Sequence, residues 1–199
     1  MTGTRDARQR VVQAADVLFY EQGFTATGVD AIAECAGVGK MSLYRHYAGK
    51  DDLAVAALRQ RDETHLDWLL PEDDGDGRQR VRAMFDRIAR AATTAQFRGC
   101  PFVRAGLELP AGHPAQHAVA EYRDRLHARL RLLAARLGAR DPDTLARQLM
   151  ILADGAATAC AVQRDPAPAH DARQLALIAI AAATAQTQPA HKHTREAAE

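Results

Sequence analysis

The segment GVDAIAECAGVGKMSLYRHYAGK, residues 28–50, decides the fold because two short helical patterns flank a turn that contains glycine. In the first pattern the apolar positions recur at helical spacing and share one face: Val29, Ile32, Ala33 and Ala36. Gly37 follows where such a turn needs a positive φ, which glycine adopts without steric cost. A short helix, a glycine turn and a second short helix are the pattern of a helix-turn-helix unit.

The second helix of this unit is predicted to begin at Lys40 and to end at about Tyr47. Three apolar side chains are predicted to hold the second helix against the first: Ile32, Val38 and Leu43. The other side chains are mostly polar and can reach bases or phosphates: Lys40, Met41, Ser42, Tyr44, Arg45 and His46. Tyr47 is better explained as a core residue, whereas a phosphate contact is favoured for Tyr44.

The charge of this unit favours nucleic acid, although the charge of the whole chain does not. The 26 Lys and Arg residues nearly balance 25 Asp and Glu, and a net charge of +1 by itself argues against a strongly basic nucleic-acid binder. Residues 37–50, however, contain three basic side chains and no acidic one. Arg5, Arg8 and Arg10 suit an arm that reaches DNA and an exposed face of the first helix equally well.

The composition outside this segment predicts an all-α chain. The sequence has 43 Ala but only 10 Val and 5 Ile, so helix formers outnumber β-branched residues. Gly, Pro and Asp divide the chain into about nine helices, of which the fifth covers about residues 78–96 and the ninth about residues 171–187. We predict a three-helix DNA-binding domain over residues 1–50, a larger helical domain over residues 51–188, and a flexible tail over residues 189–199.

The sequence from Arg10 to Leu53 resembles the DNA-binding domain of TetR-family transcriptional regulators. The matching features are an amphipathic first helix that ends in E-Q-G-F, followed by T-x-x-x-x-I-A, A-G-V and L-Y-x-H-Y-x-x-K-x-x-L. This resemblance covers roughly the first quarter of the chain. It implies that the remainder is a variable helical domain that binds an effector and forms a dimer through its last two helices.

The resemblance also implies DNA contacts at individual positions. Thr27 and Gly28 match residues whose hydroxyl or backbone touches phosphate, and Lys50 matches a phosphate-contacting Lys. The recognition-helix positions that meet bases and backbone are matched by Lys40, Met41, Ser42, Tyr44 and His46. The chain departs from the family pattern at Gly28, where Ser or Thr is usual, and at Met41, where a smaller residue is more common.

A ligand cavity in the larger domain would be lined by bulky apolar side chains outside the helix-turn-helix unit. The candidates are Trp68, Met84, Phe85, Ile88, Phe97, Phe102, Leu107, Tyr122 and Met150. Each of them also suits ordinary core packing. Together they predict a mostly apolar small-molecule effector, and no cofactor is predicted.

The last predicted helix suggests how two copies of the chain associate. It is apolar nearly all the way round from Leu175 to Ala185, so packing one face inside a monomer cannot bury it. With the preceding helix it predicts a homodimer interface formed by Leu145, Leu149, Leu152, Ala156, Leu175 and Ile178. Two-fold symmetry would separate the recognition helices by about one DNA turn, ~34–36 Å, or a multiple, which suits a palindromic operator.

Other chemistry has little support in the sequence. Three widely spaced Cys residues without a Cys-x-x-Cys pair fit unpaired thiols in a reducing cytosol. His113 and His117 lack further ligands, so no metal site is predicted. No catalytic pattern of nucleophile, base and carboxylate stands out, so we do not expect an enzyme. The N-terminus lacks an apolar stretch, and no uninterrupted run of about 18 apolar residues occurs, so we expect a cytoplasmic protein without a membrane partner.

These patterns predict a DNA-binding transcriptional regulator, and we expect a repressor that a ligand relieves. One alternative is a regulator that responds to a partner protein or to a redox signal, with Cys100 beside Pro101 as the candidate thiol. Another is a helical enzyme or scaffold that carries a vestigial DNA-binding unit.

Overall fold

Nine helices and no strand make up the described part of the chain, residues 2–72 and 75–185, in a computed structural model of the protein. In chain order they are α1 (Thr2–Gln22), α2 (Val29–Cys35), α3 (Lys40–Tyr44), α4 (Lys50–Leu69), α5 (Gly77–Ala92), α6 (Pro101–Glu108), α7 (Ala115–Arg136), α8 (Pro142–Gln163) and α9 (Ala167–Thr184). For residues 2–6 only the backbone is described. The all-α prediction is confirmed for these ranges, and the predicted tail over residues 189–199 lies outside them.

The three N-terminal helices pack around a small core. Phe19 on α1 and Phe24 beyond its end stack with their ring centres 4.6 Å apart. Ile32 on α2 and Leu43 on α3 are fully buried in the same core. Tyr47 is also buried, which confirms its interpretation as a core residue. A unit this small depends on such large side chains to exclude water.

The turn between α2 and α3 has the conformation that the sequence predicts. Gly37 has a φ of +62°, in the left-handed region that favours glycine. The N–H of Val38 then reaches the carbonyl oxygen of Ala33 over 3.0 Å, so the turn is closed by backbone hydrogen bonds. α3 ends at Tyr44, about one turn earlier than predicted.

Two helices of the larger domain have bounds that differ from the prediction. α5 ends at Ala92, where the backbone N–H groups of Thr93 and Thr94 donate to carbonyl oxygens three residues earlier instead of four. The two hydroxyl groups donate to the same carbonyl oxygens over 2.8 Å. α9 begins at Ala167, earlier than predicted, because Pro168 fits in the first turn, where a missing N–H breaks no helical bond.

α4 joins the two parts of the molecule because it packs against both α1 and α7. An ion pair fixes its contact with α1: Nη2 of Arg61 lies 2.8 Å from Oδ2 of Asp16. The guanidinium of Arg61 also lies over the ring of Tyr20, 4.7 Å from its centre. A displacement of α4 would therefore be transmitted to α1.

The larger domain is built around α8, which packs against α5, α7 and α9. Small side chains occupy these contacts: Ala146, Ala153 and Ala157 on α8, with Ala172 and Ala176 on α9, are buried. Side chains of this size let helix axes approach closely.

Within the described residues, α8 is the one helix whose length and composition would allow it to cross a membrane. That is a weak indication, because the core helix of a soluble protein meets the same criterion. α8 packs against three other helices, so we interpret it as a core helix.

Candidate functional site

α3 presents exposed side chains next to a basic residue. Met41 is 77% exposed and Tyr44 is 43% exposed, and Arg45 is exposed directly after the helix. Ser42 and His46 are half-buried beside them. Met41 and Tyr44 thus give α3 exposed apolar surface beside the positive charge of Arg45. We call the following set the recognition surface: Lys40, Met41, Ser42, Tyr44, Arg45 and His46.

Lys40 on this surface is paired with an acidic residue of α2. Its Nζ lies 2.7 Å from Oδ1 of Asp30, and both side chains are exposed. The hydrogen bond to Asp30 and the charge of that carboxylate raise the pKa of Lys40, so the side chain stays a cation. Exposed pairs of this kind are weak in water, so a DNA phosphate can replace Asp30. Asp30 therefore orients Lys40 without making it unavailable to DNA.

The hydroxyl group of Thr27 does not lie on the surface, where the resemblance would place a phosphate contact. It is buried and donates to the carbonyl oxygen of Gly23 over 2.7 Å, with the carbonyl oxygen of Leu18 at 3.2 Å. A hydroxyl has one hydrogen to donate, and here it closes the end of α1. The sequence could have indicated this inward orientation of the Thr27 hydroxyl, because Thr often bonds to the carbonyl oxygen four residues earlier.

Gly28 is the N-cap residue of α2, and no side chain caps this helix. Its φ of −89° and ψ of 153° suit any residue. A Cβ atom at this position would meet nothing within 4 Å. Neither the backbone nor the space requires glycine here, so the departure from the family pattern removes a side-chain cap without a compensating contact.

Lys50 lies where three elements meet. Its Nζ donates to the carbonyl oxygen of Thr25 over 3.1 Å. The N–H of Thr25 donates in turn to Oε1 of Glu108, at the end of α6, over 2.6 Å. Burial raises the pKa of Glu108, but hydrogen bonds from Thr25 and Phe24 outweigh it and lower the pKa overall, so this acceptor stays ionised. Thr25, in the turn that follows α1, is thus held by both α4 and α6.

The predicted basic arm is only partly described. The guanidinium of Arg8 lies 5.7 Å from the ring centre of Tyr47, so Arg8 lies against its own domain. Arg10 is exposed. The side chain of Arg5 lies outside the described residues.

Two neighbouring spaces open in the larger domain. We call the first the inner cavity, with a volume of about 30 Å³, and its walls are His65, Trp68, Leu69, Ile88, Phe97, Gly99, Cys100, Tyr122, Leu126, Ala153, Asp154 and Ala157. We call the second the outer cleft, with a volume of about 270 Å³, and its walls are Tyr20, Arg61, His65, Trp68, Ala91, Thr94, Gln96, Phe97, Gly99 and Pro101. The two share His65, Trp68, Phe97 and Gly99 and are therefore adjacent.

The structure brings part of the predicted pocket together. Trp68, Ile88, Phe97 and Tyr122 line the inner cavity. Phe102 lies behind it and stacks on Tyr122 with ring centres 3.6 Å apart.

The remaining predicted pocket residues lie elsewhere. Met84, Phe85 and Met150 are buried in the general core and line neither space. Leu107 is 82% exposed on α6, because the buried face of that short helix is formed by Phe102 and Ala105. Sequence reasoning chose large apolar residues and so missed His65, Gly99 and Asp154, for which periodicity carries no signal.

Burial shifts the pKa values of three titratable groups of the inner cavity toward their neutral forms. Burial and the nearby charge of Arg61 lower the pKa of His65 to about 4, so its imidazole is neutral at pH 7. Burial raises the pKa of the Cys100 thiol to about 11. Burial also raises the pKa of Asp154, against the influence of Arg123, whose Nη1 lies 2.6 Å from Oδ2 of that carboxylate.

The outer cleft is joined directly to the DNA-binding unit. The hydroxyl of Tyr20, near the end of α1, donates to the carbonyl oxygen of Gly99 over 3.0 Å and accepts from the N–H of Arg98 over 2.9 Å. Nη1 of Arg104 on α6 donates to the backbone carbonyl oxygen of Tyr20 over 2.6 Å. A ligand that moved the loop between α5 and α6 would therefore act on α1.

The predicted dimer residues are divided between the core and the surface. Leu149 and Ala156 are buried within the chain, and Leu145 is buried at the base of a groove. Leu175 and Ile178 are 53% and 64% exposed, respectively. Leu152 is half-buried.

Residues of both α8 and α9 line a surface groove near these exposed positions. The groove has a volume of about 600 Å³ and is lined by Arg140, Asp141, Thr144, Leu145, Gln148, Ile151, Leu152, Ala179, Ala182 and Ala183. We call the groove, with Leu175 and Ile178, the α8–α9 face. Sequence reasoning missed Ile151, an exposed residue of this face, because α8 is apolar on several sides.

The His pair shows no metal-binding geometry. Nδ1 of His113 accepts the N–H of Ala115 over 3.1 Å, and its Nε2 lies 3.3 Å from Oδ1 of Asp51. Over residues 2–72 and 75–185, no group of three potential ligands could hold a metal ion.

Two family models match the chain. Residues 11–57 match the model of bacterial regulatory proteins of the tetR family, and residues 77–176 match the tetracyclin repressor-like C-terminal domain.

Curated relatives match over shorter stretches. The HTH-type transcriptional activator FasR of Mycolicibacterium smegmatis is 37% identical over 40% of this chain and 37% of its own length. The HTH-type transcriptional repressor KstR2 of the same organism is 37% identical over 31% of this chain and 28% of its own length. The chain thus spans about a third of the length of these relatives.

Solved structures match nearly end to end. A putative tetr-transcriptional regulator from Streptomyces avermitilis is 34% identical, with a TM-score of 0.75 over 85% of this chain and 97% of that one. A TetR-family transcriptional regulator from Streptomyces coelicolor is 29% identical, with a TM-score of 0.81 over 91% of this chain and 97% of that one. The chain therefore belongs to the TetR family of bacterial regulatory proteins and is a helix-turn-helix, DNA-binding transcriptional regulator.

Proposed function

We propose that the protein is a cytoplasmic repressor that binds a palindromic operator as a homodimer and is released from it by a mostly apolar small molecule. The observation that carries this proposal is the recognition surface. Met41 and Tyr44 are exposed there beside Arg45. Apolar side chains contact thymine methyl groups in the major groove, and basic side chains contact phosphates or guanine. The backbone at Gly28 and the Nζ of Lys50 are the proposed flanking phosphate contacts.

The α8–α9 face supports association into a homodimer. Ile151, Leu175 and Ile178 are large apolar side chains exposed on it. An apolar patch of this kind is typical of a protein interface, and an isologous contact would bury it in both copies. The same two-fold axis would orient two recognition surfaces toward one palindromic site.

The outer cleft supports regulation by a ligand. It opens between the helical domain and the end of α1, and Tyr20 forms part of its wall. A ligand there would alter the contacts of Gly99 and Arg61 with α1, and effector coupling in such systems is typically about 1–3 kcal/mol. A site at this joint, with Lys50 at the opposite end of α4, supports release of DNA when the effector binds.

Regulation by redox chemistry at Cys100 is less favoured. A reactive cysteine is a thiolate, and burial raises the pKa of Cys100 to about 11. A partner protein in place of the small molecule remains the second candidate for the signal. An enzyme or a scaffold is not favoured, since the relatives named above are transcriptional regulators.

The test is a selection of bound sequences from random DNA, which is then repeated in the presence of a panel of apolar metabolites. We expect an enriched palindrome, and loss of enrichment with at least one compound. A bound sequence without two-fold symmetry would contradict the homodimer, and tighter binding with the active compound would indicate an activator. A gel-shift assay on the DNA upstream of the protein's own gene provides an independent measurement. Failure to bind either DNA would contradict the regulator itself.

A further inference from the structure

The inner cavity contains one polar group that the fold does not satisfy. Tyr122 is fully buried on α7, and its hydroxyl has no hydrogen-bond partner among the described residues. Buried hydroxyl groups are nearly always hydrogen-bonded, because leaving one unpaired is unfavourable. The same residue lines the inner cavity, whose volume of about 30 Å³ suits a group roughly the size of one water molecule.

Aromatic rings surround the route to this hydroxyl. The ring of His65 lies 5.3 Å from that of Trp68 and 5.7 Å from that of Tyr122, measured between centres. Trp68 and Phe97 line both spaces. These rings contact one another, and the aromatic walls that they form with Phe97 favour an aromatic ligand in the adjoining outer cleft. A ring in the outer cleft would have a substituent directed toward Tyr122.

The charges around the inner cavity disfavour an ionic ligand. Asp154 and Arg123 form an ion pair with 2.6 Å between Oδ2 and Nη1, so the pair carries no net charge. His65 is neutral at pH 7 because burial and Arg61 lower its pKa to about 4. Arg61 is in turn paired with Asp16, so neither an anion nor a cation would find an unpaired countercharge among these residues.

We propose that Tyr122 is the polar anchor of the effector site, and that the effector is a small uncharged aromatic molecule with one hydroxyl or carbonyl group, which hydrogen-bonds to Tyr122. The ring of this molecule occupies the outer cleft between Trp68 and Phe97. The inference rests on the ligand-responsive function proposed above and specifies the chemistry of its ligand.

The single tryptophan of the chain provides a direct readout, since Trp68 lines both spaces. Four probes of similar ring size are titrated against the full-length protein, with binding followed by Trp68 fluorescence and by calorimetry. They are p-cresol, toluene without a polar group, benzoate as an anion and benzylamine as a cation. We expect saturable binding of p-cresol, about ten-fold weaker binding of toluene, and no saturable response to the two ions.

The variant Tyr122→Phe isolates the anchor. It removes only the unpaired hydroxyl, so we expect the thermal stability of the protein to be kept or increased. The affinity for p-cresol is expected to fall about ten-fold, to the level of toluene, whose own affinity stays unchanged. Tyr44→Phe, on the recognition surface, is the matched control and should leave both affinities as they are.

Equal affinity for p-cresol and toluene, no saturable binding of p-cresol, or tighter binding of either ion would overturn the inference. An unchanged p-cresol affinity in Tyr122→Phe would do the same, and would indicate that a water molecule satisfies the hydroxyl. Release of operator DNA is measured separately with the same probes and with the metabolite panel. If an ion or a compound without a polar group releases the DNA, the ligand-relieved function stands and this inference fails.

Discussion

The hydroxyl group of Tyr20 donates a hydrogen bond to the carbonyl oxygen of Gly99 over 3.0 Å, although 79 residues separate them in the chain. Tyr20 belongs to α1 of the DNA-binding unit, and Gly99 belongs to the wall of both the inner cavity and the outer cleft. Gly99 has a φ of +85°, and the space around it is restricted because a Cβ atom would lie 3.3 Å from the carbonyl oxygen of Ala157. The loop is thus held closely between α1 and α8.

We expect Tyr20→Phe to weaken the response to effector without abolishing DNA binding. The substitution removes the hydrogen bonds to Gly99 and Arg98, so the free energy of unfolding should fall by about 1–2 kcal/mol. The measurement is the ratio of operator Kd with and without an effector found in the metabolite panel, and this ratio should approach one.

Thr93→Val is the control for this prediction, because it lies near the same loop but loses only a local bond to the carbonyl oxygen of Arg90. Its Kd ratio should match that of the unmodified protein. A full effector response in Tyr20→Phe would show that the signal reaches the DNA-binding unit through other contacts, those of α4 or α6.

The sequence predicted which positions of α3 are exposed and which is buried, because that signal is local. The fixed period of a helix predicts that Leu43 is buried while its neighbours are more exposed, and Gly37 predicts a turn with a positive φ. The link between Tyr20 and Gly99 joins a helix end to a distant loop, and no periodicity reports such a contact. Leu107 was assigned to the pocket from its size, whereas its exposure depends on which face of α6 meets α7.

The dimer prediction was limited in the same way, because periodicity does not show which neighbour a helix face contacts. α8 is apolar on several sides, so its pattern marks it as buried without saying by what. Leu149 turns toward the chain's own core and Ile151 turns outward, and they are only two residues apart. The packing of α5, α7 and α9 around α8 decides which of these residues is buried.

Lys50→Ala should weaken binding to all DNA sequences. Its Nζ is positioned by the carbonyl oxygen of Thr25 and carries no base-reading geometry, so we expect a phosphate contact. The slope of log K against log salt should become shallower by about one. Arg90→Ala, an exposed charge on α5, is the control and should leave the slope unchanged. A change of base preference at a constant slope would contradict the assigned role.

Gly28→Ser should stabilise the protein slightly and tighten DNA binding. The backbone at this N-cap already has an extended conformation, and a new Cβ atom would meet nothing within 4 Å. A serine oxygen can accept an N–H of the first turn of α2, for a gain of a few tenths of a kcal/mol. Thermal unfolding and operator Kd are measured beside Gly28→Ala, which adds the carbon without the acceptor. Equal gains in both variants would argue against capping.

His65 should make the stability of the protein depend on pH below neutrality. Burial and Arg61 lower its pKa in the folded chain from 6.5 to about 4, so between these values the unfolded chain binds more protons. The free energy of unfolding therefore falls as the pH drops through this window. By pH 5 we expect the free energy of unfolding to have fallen by about 1 kcal/mol. This is less than the full pKa shift would give, because the ring is only half-buried and solvent screens its charge.

The comparison is the change in melting temperature between pH 7.5 and pH 5 in the unmodified protein and in His65→Gln. The variant retains Asp16 and Asp154, whose pKa values burial raises, so their contribution is common to both proteins. A smaller change in His65→Gln is expected, and an identical change would contradict the assignment.

Ile178→Arg should separate the homodimer without unfolding the chain. Ile178 is 64% exposed on α9, so arginine has room in the monomer, whereas a two-fold contact would bring two like charges close together. We expect the dimer Kd to rise about 100-fold or more, because such a juxtaposition opposes binding by several kcal/mol. Light scattering should then give the 21.6 kDa mass of one chain.

Leu107→Arg makes the same kind of change at an exposed position on α6 and should remain dimeric with full operator affinity. If Ile178→Arg also stayed dimeric, the interface would lie outside the α8–α9 face, and the spacing of the two recognition surfaces would have to be derived from a different axis.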